Sequence, residues 1–571
     1  MYTASAAFLD ALYEAGVSHV FANFGGDHSA IVEAIAEAHA TGRAIPTIVT
    51  CPHEMVALSC AQGFAQLTGR AQAVLVHVDA GTQSLAGAVH NVARGRVPVL
   101  IFAGLAPSTL EGELPGSRNE FIQWLQDVPD QGGILRQYVK YQHEVRTGAN
   151  VKQIVNRALQ IARSDPAGPV YLMATREVLE SEARPVAIDR ARWSPVAGDQ
   201  PLPASAVALI AGRLAAAYRP LIVTSYVGRR PAAVEPLVRF CRRLGVGVLE
   251  SAPSAMNFPH HDPLYLGSHW NHQHQNPALA EADVVLVVDS DIPWVTSVNR
   301  PRDDATILHI DVDPLKPTMP LWYINAHASF RADAATALAQ LTDWLDANDI
   351  DEAAAESRRR HYGRTHAGRA AALLASERGA ADAITPEYLT AAVRDAVGDD
   401  AIVLNEGITN YPAIFDHLGR SRPASIFTSG GSSLGWAGGA AVGMKLAAPD
   451  RTVVALTGDG SYLFSIPSTV FWMARRYRTP FLQVIYNNGG WKAPKFSTLA
   501  LHPDGHASRA RDIGVSFDPS PDHAAIAAAA GGAFARGVER ADGVAEALEE
   551  ALHAVRVQRR PAVLDVRLPR L

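Results

Sequence analysis

Arg451-Thr452-Val453-Val454-Ala455-Leu456, closed by Gly458-Asp459-Gly460-Ser461 and followed by a helical pattern, is the stretch that decides the fold. A short apolar strand that enters a helix through a glycine turn is the repeating unit of a parallel sheet with helices on both faces. Comparable runs stand at 73–76, 97–102 and 169–172 in the first third, at 220–224, 246–249, 283–288 and 306–311 in the middle, and at 401–405, 481–486 and 562–566 in the last. A Pro- and Arg-rich stretch from 184 to 203 reads as a linker, and the Ala-, Arg- and Glu-rich segment 346–381, which holds no apolar run, reads as a surface helix used as a connector. The pattern predicts an α/β chain of three doubly wound parallel-sheet domains over 1–183, 195–345 and 386–571, with a helical linker over 346–385.

At roughly 100–200 residues per domain, 571 residues make three or four domains. Lys+Arg 51 against Asp+Glu 57 leaves a net charge of −6, which gives no footprint for nucleic acid, and 48% hydrophobic with 19% charged residues suits a folded globule. Cys51, Cys60 and Cys241 are too few for a disulfide framework and stand at no metal-ligand spacing, which fits a reducing cytoplasm. Met1-Tyr2-Thr3-Ala4-Ser5 lacks the basic start of a signal peptide, and no stretch of about 18 apolar residues follows, so neither secretion nor a membrane span is expected.

The first and last thirds echo each other. The run at 73–76 ends in Asp79-Ala80-Gly81, and 15 residues later Arg96-Val97-Pro98 opens another; the run at 451–456 ends in Gly458-Asp459-Gly460, and 18 residues later Arg478-Thr479-Pro480 does the same. Any strand–helix–strand unit has this rhythm, so the echo gains meaning only if the two copies carry complementary chemistry.

Gly458-Asp459-Gly460-Ser461 carries one half of it. Ligands bind at the carboxyl ends of strands in open parallel sheets, and the first turn of a following helix offers unpaired N–H groups to phosphate oxygens. Glycines let the backbone approach such an anion, but the carboxylate of Asp459 needs a cation before it can face one. A hard divalent ion with oxygen ligands, usually Mg²⁺, resolves the conflict. Tyr486-Asn487-Asn488-Gly489-Gly490, at the next strand end, offers amide and carbonyl oxygens to complete the shell. Either motif alone also reads as an ordinary strand-to-turn cap; together, at adjacent strand ends, they point to a metal and a diphosphate.

These motifs resemble the signature of the thiamin diphosphate enzymes of the pyruvate decarboxylase, acetolactate synthase and benzoylformate decarboxylase group, and the resemblance spans nearly the whole chain. It implies a first domain that binds the pyrimidine of thiamin diphosphate, a last domain that binds the diphosphate and Mg²⁺, and a Rossmann-like domain between them. Asp459, Asn488 and the main-chain carbonyl of Gly490 would hold the metal, with Gly458, Gly460 and Ser461 at the diphosphate turn. The 29 residues from Asp459 to Asn488 are slightly more than is usual in the group, which leaves the choice between Asn487 and Asn488 open. In Gly430-Gly431-Ser432-Ser433-Leu434-Gly435, close helix packing would account for the glycines; the resemblance implies further that Leu434 wedges between the two cofactor rings and that the Ser432 carbonyl accepts from the aminopyrimidine. In Asn405-Glu406-Gly407-Ile408-Thr409 it carries Gly407 and Thr409 over to the diphosphate.

The cofactor also needs a proton relay at its pyrimidine nitrogen, and a carboxylic acid in apolar surroundings suits that task. Pro52-His53-Glu54-Met55-Val56-Ala57-Leu58 offers Glu54 at an apolar, Ala-rich helix start. A solvated or capping glutamate is the plain alternative; the resemblance selects the relay. His77-Val78-Asp79-Ala80-Gly81-Thr82 matches the benzoylformate decarboxylase segment that places an active-site histidine, and Phe24-Gly25-Gly26-Asp27-His28-Ser29 matches its turn ending in an active-site serine. The resemblance therefore implies His77, Ser29 and His28 as catalytic residues beside Glu54, although Asp27-His28 replace residues that are normally Pro and Gly. A histidine at a strand end is also an ordinary core residue.

Members of the group decarboxylate 2-oxo acids or join the resulting carbanion to a second carbonyl. The expected activity is a thiamin diphosphate- and Mg²⁺-dependent lyase or carboligase on a small 2-oxo acid or acyl substrate. Trp491 and Lys492, next to the metal segment, are placed to wall the pocket, in a pattern unlike that of the acetolactate synthases. The alternative is a 2-hydroxyacyl-CoA lyase or oxalyl-CoA decarboxylase, and a third reading is a catalytically silent cofactor-binding protein. The middle domain leaves room for FAD, or for ADP and CoA, since Tyr226-Val227-Gly228-Arg229-Arg230 brings two guanidinium groups near a switch point; a solvated basic loop is the plainer reading. His269, His272 and His274 lack the spacing of a zinc site and read as a polar loop. The resemblance implies a homodimer or homotetramer whose active sites lie at subunit interfaces, the Glu54 domain of one chain facing the Asp459 domain of another.

Overall fold

The computed structural model describes residues 2–570 except 197, 272, 273, 379–382 and 511, so His272 lies outside the described residues. The first sheet holds β1 (His19–Ala22), β2 (Thr47–Thr50), β3 (Gln72–Val76), β4 (Val99–Leu105), β5 (Tyr141–Val145) and β6 (Val170–Thr175). The second holds β7 (Pro220–Thr224), β8 (Gly247–Ser251), β9 (Tyr265–His269), β10 (Val284–Val288), β11 (Thr306–Asp311) and β12 (Ala328–Arg331). The third holds β13 (Ile402–Glu406), β14 (Ile426–Phe427), β15 (Val453–Gly458), β16 (Leu482–Asn487), β17 (Phe534–Val538) and β18 (Ala562–Arg567). Among the described residues every strand pair within these sheets is parallel. No helix of the described residues is long and apolar enough to cross a membrane.

The echo between the thirds is topological. The first sheet runs β2-β1-β3-β4-β6-β5 and the third β14-β13-β15-β16-β18-β17, the same order twelve strands later. The middle sheet runs β12-β11-β10-β7-β8-β9, the mirror listing of a dinucleotide-binding order, with its switch point between β7 and β10. Central strands such as β3, β15 and β16 are buried on both faces, which is why they appear in the sequence as unbroken apolar runs.

Two helices join the first and third domains. Glu54–Thr68 follows β2, and Trp436–Ala447 occupies the same place after β14. They touch at backbone distance because small residues face each other: a Cβ on Gly63 would strike the Ala440 carbonyl, one on Gly443 the Cys60 carbonyl, and one on Gly439 would lie 2.7 Å from Ser59 Cβ. Gln62 Nε2 then donates to Ser429 O at 2.8 Å and Gln66 Nε2 to Thr428 O at 3.0 Å. The connector helix, Glu352–Ser376, is more than a surface spacer. Its Arg358 is buried and donates to the carbonyls of Leu244 and Ala217, and Tyr362 Oη donates to Pro220 O, so its first half is docked on the middle domain.

Candidate active site

Glu54 heads its helix with 7% of its surface exposed. The His53 side chain caps the helix by accepting from Met55 N, and Asn23 Nδ2, at the end of β1, donates to Glu54 Oε1 at 2.8 Å. Gly81 leaves room for that carboxylate, since a Cβ there would lie 3.1 Å from Oε1. At the end of β3, His77 Nδ1 stands 2.6 Å from Asp27 Oδ1 and its Nε2 stands 2.9 Å from Gln126 Oε1. A cavity of about 120 Å³ opens beside it, lined by Gly26, Asp27, His77, Leu105, Gln126 and Arg176 among others. Neither Ser29 nor His28 lines it. Ser29 is exposed at the start of its helix, and His28 is fully buried, its Nδ1 3.1 Å from Gly25 N and its ring edge-on to Phe24.

Across the helix pair lies the third-domain half. The 431–433 segment is held by the Ala86–Arg94 helix: Asn91 accepts from Ser433 N and donates to Ser433 O, both at 2.9 Å, and His90 Nε2 lies 2.9 Å from Gly431 O. Ser432 sits at φ +60, a left-handed conformation uncommon for a non-glycine residue, and Leu434 is half-buried beside it. Gly435 lies against the Met55 methyl, which an added Cβ would approach to 3.0 Å. The Glu54 helix and the Leu434 turn thus touch within a single chain, through Met55 and Gly435.

Three adjacent strand ends make the rest. Gly407 follows β13, and its carbonyl oxygen is the nearest atom, at 3.9 Å, to a Cβ placed on Gly458 at the end of β15; Thr409 follows on the same turn, half-buried. Asp459 is 2% exposed; its Oδ1 accepts from Gly460 N at 3.0 Å and its Oδ2 from Gly489 N at 2.9 Å, the latter bond drawing the β15 and β16 turns together. Burial raises the Asp459 carboxyl above its ordinary value while those amides pull it down. Asn487 is committed elsewhere: its Nδ2 donates to Asp565 Oδ1 at 2.8 Å, and its Oδ1 accepts from Gly489 N at 3.1 Å. Asn488 instead lines a cavity of about 410 Å³ with Gly489, Gly490 and Lys492. Gly490 takes φ +153 against Val515, where a Cβ would strike the Val515 carbonyl. Trp491 lies over Gly460, so it walls the Gly458–Ser461 turn itself.

This donor set fits magnesium. Among the described residues no group of three His, Cys, Asp or Glu side chains gathers around a metal-sized space. Asp459, Asn488 and Gly490 instead offer a buried carboxylate, an amide oxygen and a backbone carbonyl, the hard oxygen donors that Mg²⁺ takes.

The middle domain reads differently from expectation. At its switch point Ser225 N and Tyr226 N both donate to Asp289 O at 3.0 Å, and Ser225 Oγ lies 2.6 Å from Ser290 Oγ. Lys316 Nζ fills the remaining space, 2.7 Å from Tyr226 Oη and 2.9 Å from Asp291 Oδ1, and Arg96 reaches in from the first domain to Asp291 at 2.8 Å. These side chains crowd the switch point itself, and a cavity of about 270 Å³ opens beside it, lined by Arg96, Arg229, Arg230, Ser254 and Ala255 among others. Arg229 turns to Asp165, and Arg230 to Asp165 and Asp333. Of the stretch read as a polar loop, His269 is instead the buried last residue of β9, its Nε2 2.9 Å from Pro293 O, and Trp270 after it stacks on Tyr411 of the third domain at 4.6 Å.

Two residues were missed by sequence reasoning. Asp27 was noted only as a departure from a turn pattern, and Glu406 only as a neighbour of Gly407. Glu406 is buried and accepts from Gly435, Trp436 and Ala437 amides at 2.5, 3.2 and 2.7 Å, capping the helix that packs on the Glu54 helix. Its strand-end position was the available signal.

Three family models match the chain: a thiamine pyrophosphate enzyme N-terminal TPP-binding domain over 2–134, a central domain over 207–341 and a C-terminal TPP-binding domain over 407–566. An acetolactate synthase of Bacillus subtilis is 24% identical over 514 residues, 86% of this chain and 82% of that protein. A benzoylformate decarboxylase of Pseudomonas aeruginosa is 26% identical over 472 residues, 79% of this chain and 81% of that protein. The thiamine diphosphate-dependent 4-hydroxybenzoylformate decarboxylase of Rhodococcus jostii RHA1 shares the fold, with a TM-score of 0.79 over 100% of this chain and 99% of that one at 22% identity.

Proposed function

The chain belongs to the thiamine pyrophosphate enzymes, and from that premise we propose that it is a Mg²⁺-dependent lyase or carboligase acting on a 2-oxo acid. The observation that carries the reading is Glu54, a buried carboxyl at the head of a helix packed on the one that follows the Leu434 turn. When bound, thiamin diphosphate supplies a nucleophilic carbon and an electron sink for the cleaved bond. The chain supplies the rest. Glu54 exchanges a proton at the pyrimidine nitrogen, Leu434 and the Ser432 carbonyl hold the rings, and Gly407, Thr409, Gly458, Gly460 and Ser461 line the diphosphate. Asp459, Asn488 and Gly490 hold Mg²⁺. His77 moves protons at the substrate carbonyl from the cavity it lines, while Ser29 and His28 act from outside that cavity, His28 by holding the Gly25 turn.

Glu54→Gln is expected to retain thiamin diphosphate binding by titration calorimetry and to lose most turnover in a screen of aliphatic, aromatic and CoA-linked 2-oxo acids. Full activity of that variant removes the assignment. Chelation of divalent ions should abolish activity and weaken cofactor binding, with recovery on adding Mg²⁺. A CoA-dependent lyase is the alternative reading, and calorimetric heat with CoA or ADP that is lost when Arg229→Ala and Arg230→Ala are combined would favour it.

A further inference from the structure

We propose that Asp27 is a positioning residue that fixes the His77 ring and keeps it protonated, as a proton donor over the substrate cavity. The inference rests on the reading that His77 serves the substrate carbonyl. Asp27 lies in the Gly26–His28 turn with its carboxylate buried. Its Oδ1 stands 2.6 Å from His77 Nδ1 and 3.0 Å from His28 Nδ1, and its Oδ2 accepts from Val78 N at 3.2 Å. The same carboxylate therefore grips both the ring and the backbone that carries it. Val78 takes φ +33, a value that a β-branched residue rarely adopts, so the backbone at 77–78 is held against its preference. Two glycines make the space: a Cβ on Gly25 would strike His77 Nδ1, and one on Gly104 would strike Asp27 Oδ2.

On the cavity side His77 Nε2 lies 2.9 Å from Gln126 Oε1. With the Gln126 amide oxygen turned to it, the ring has an oxygen acceptor at each nitrogen, an arrangement that an imidazolium, with two donors, satisfies in full. Charge agrees with geometry. The hydrogen bond to Asp27 raises His77 against the opposing effect of burial. For Asp27, burial alone would raise the carboxyl, yet the neighbouring His28 and His77 hold it well below the usual carboxylate range. The other charged groups around the ring are His28 from the same turn, Asp79 from the Val78–Ser84 helix, Glu54 near Gly81, and Glu120 and Arg176 from the cavity wall. Among the described residues Asp27 is the carboxylate in hydrogen-bond contact with the ring. A protonated Nε2 over the cavity can deliver its proton to the oxygen that gains charge at the substrate carbonyl, leaving a neutral ring whose Nδ1–H stays on Asp27.

A ring-¹⁵N titration of His77 in the enzyme loaded with thiamin diphosphate and Mg²⁺, assigned by its loss in His77→Ala, tests this. The parent ring is expected to be doubly protonated at pH 7. In Asp27→Asn it should titrate lower by about one unit or more, and the alkaline limb of kcat/KM should move down with it. A parent ring that is neutral at pH 7 overturns the proposal without any variant, as does an unmoved titration in folded Asp27→Asn. Undiminished turnover of His77→Ala would instead sink the reading of His77 itself, and the donor role with it, whatever the ring titration showed.

Discussion

Glu406 stands at the end of β13 with three amides of a helix start as its partners. Burial pushes its carboxyl up to about 7 although those amides pull the other way. The unfolded chain gives up this proton near the ordinary value of 4.5, the folded chain only near 7. Stability from this group is therefore complete below the unfolded value, falls as pH rises through the window between the two, and is flat above it. Urea unfolding from pH 4 to 8 should show the parent losing on the order of 3 kcal/mol relative to Glu406→Gln across that window; parallel curves would refute the assignment. Asp459→Ala acts in a different way. It removes the one charge of the oxygen set, so Mg²⁺ affinity should collapse in calorimetry while the fold, read by circular dichroism, is kept. At this scale the sequence disclosed what carries a motif. Asp459 sits between two glycines and Glu54 follows His53, but the roles of Asp27 and Glu406 depend on partners 50 and about 30 residues away, His77 and the 435–437 amides, which no local pattern displays.

The Glu54–Thr68 and Trp436–Ala447 helices are the elements on which the site hangs, and their contact is set by missing side chains. Gly443→Ala puts a methyl into the Cys60 carbonyl, a backbone atom that cannot rotate away, so the helices must part. The expected cost is about 1–3 kcal/mol in a urea titration, with a fall in turnover as Glu54 and the Leu434 turn separate. Gly368→Ala is the control, since nothing lies within 4 Å of an added Cβ in that helix. It should stabilise by about 0.4–1 kcal/mol and leave turnover alone; equal loss in both variants would mean that helix approach is not the cause. Strands divide along the same physical line. The runs read from sequence became β3, β4, β6, β7, β8, β10, β11, β13, β15, β16 and β18, all of them sheet interior. Those not read were the edges, β2, β5, β9, β12, β14 and β17, with β1. An edge such as Tyr141-Gln142-His143-Glu144-Val145 or Ala328-Ser329-Phe330-Arg331 is wet on one side and carries polar residues, so its apolar signal is diluted. β1 is interior but only four residues long and opens on His19, and β14 is two residues long.

At the scale of the molecule the open question for the fold is what covers the His77 cavity. Leu110, Leu114, Phe121, Trp124 and Leu125 are exposed on the segment that supplies its outer wall, Phe121 at 76% and Leu125 at 75%. Soluble single chains rarely leave several large apolar side chains together in water, and such a ridge beside a cavity marks a contact surface. A second copy of the chain is the proposed occupant, which would place the cavity at a subunit interface in a homodimer or homotetramer even though the Glu54 and Leu434 segments already meet within one chain. Phe121→Ser combined with Leu125→Ser changes only exposed side chains, so the folded monomer should persist with an unchanged far-ultraviolet spectrum. Sedimentation velocity should show the parent as a dimer or tetramer and the double variant shifted toward monomer, with turnover falling in proportion to the dissociated fraction. A parent that sediments as a fully active monomer overturns the assembly, because the ridge would then be wet in the working enzyme.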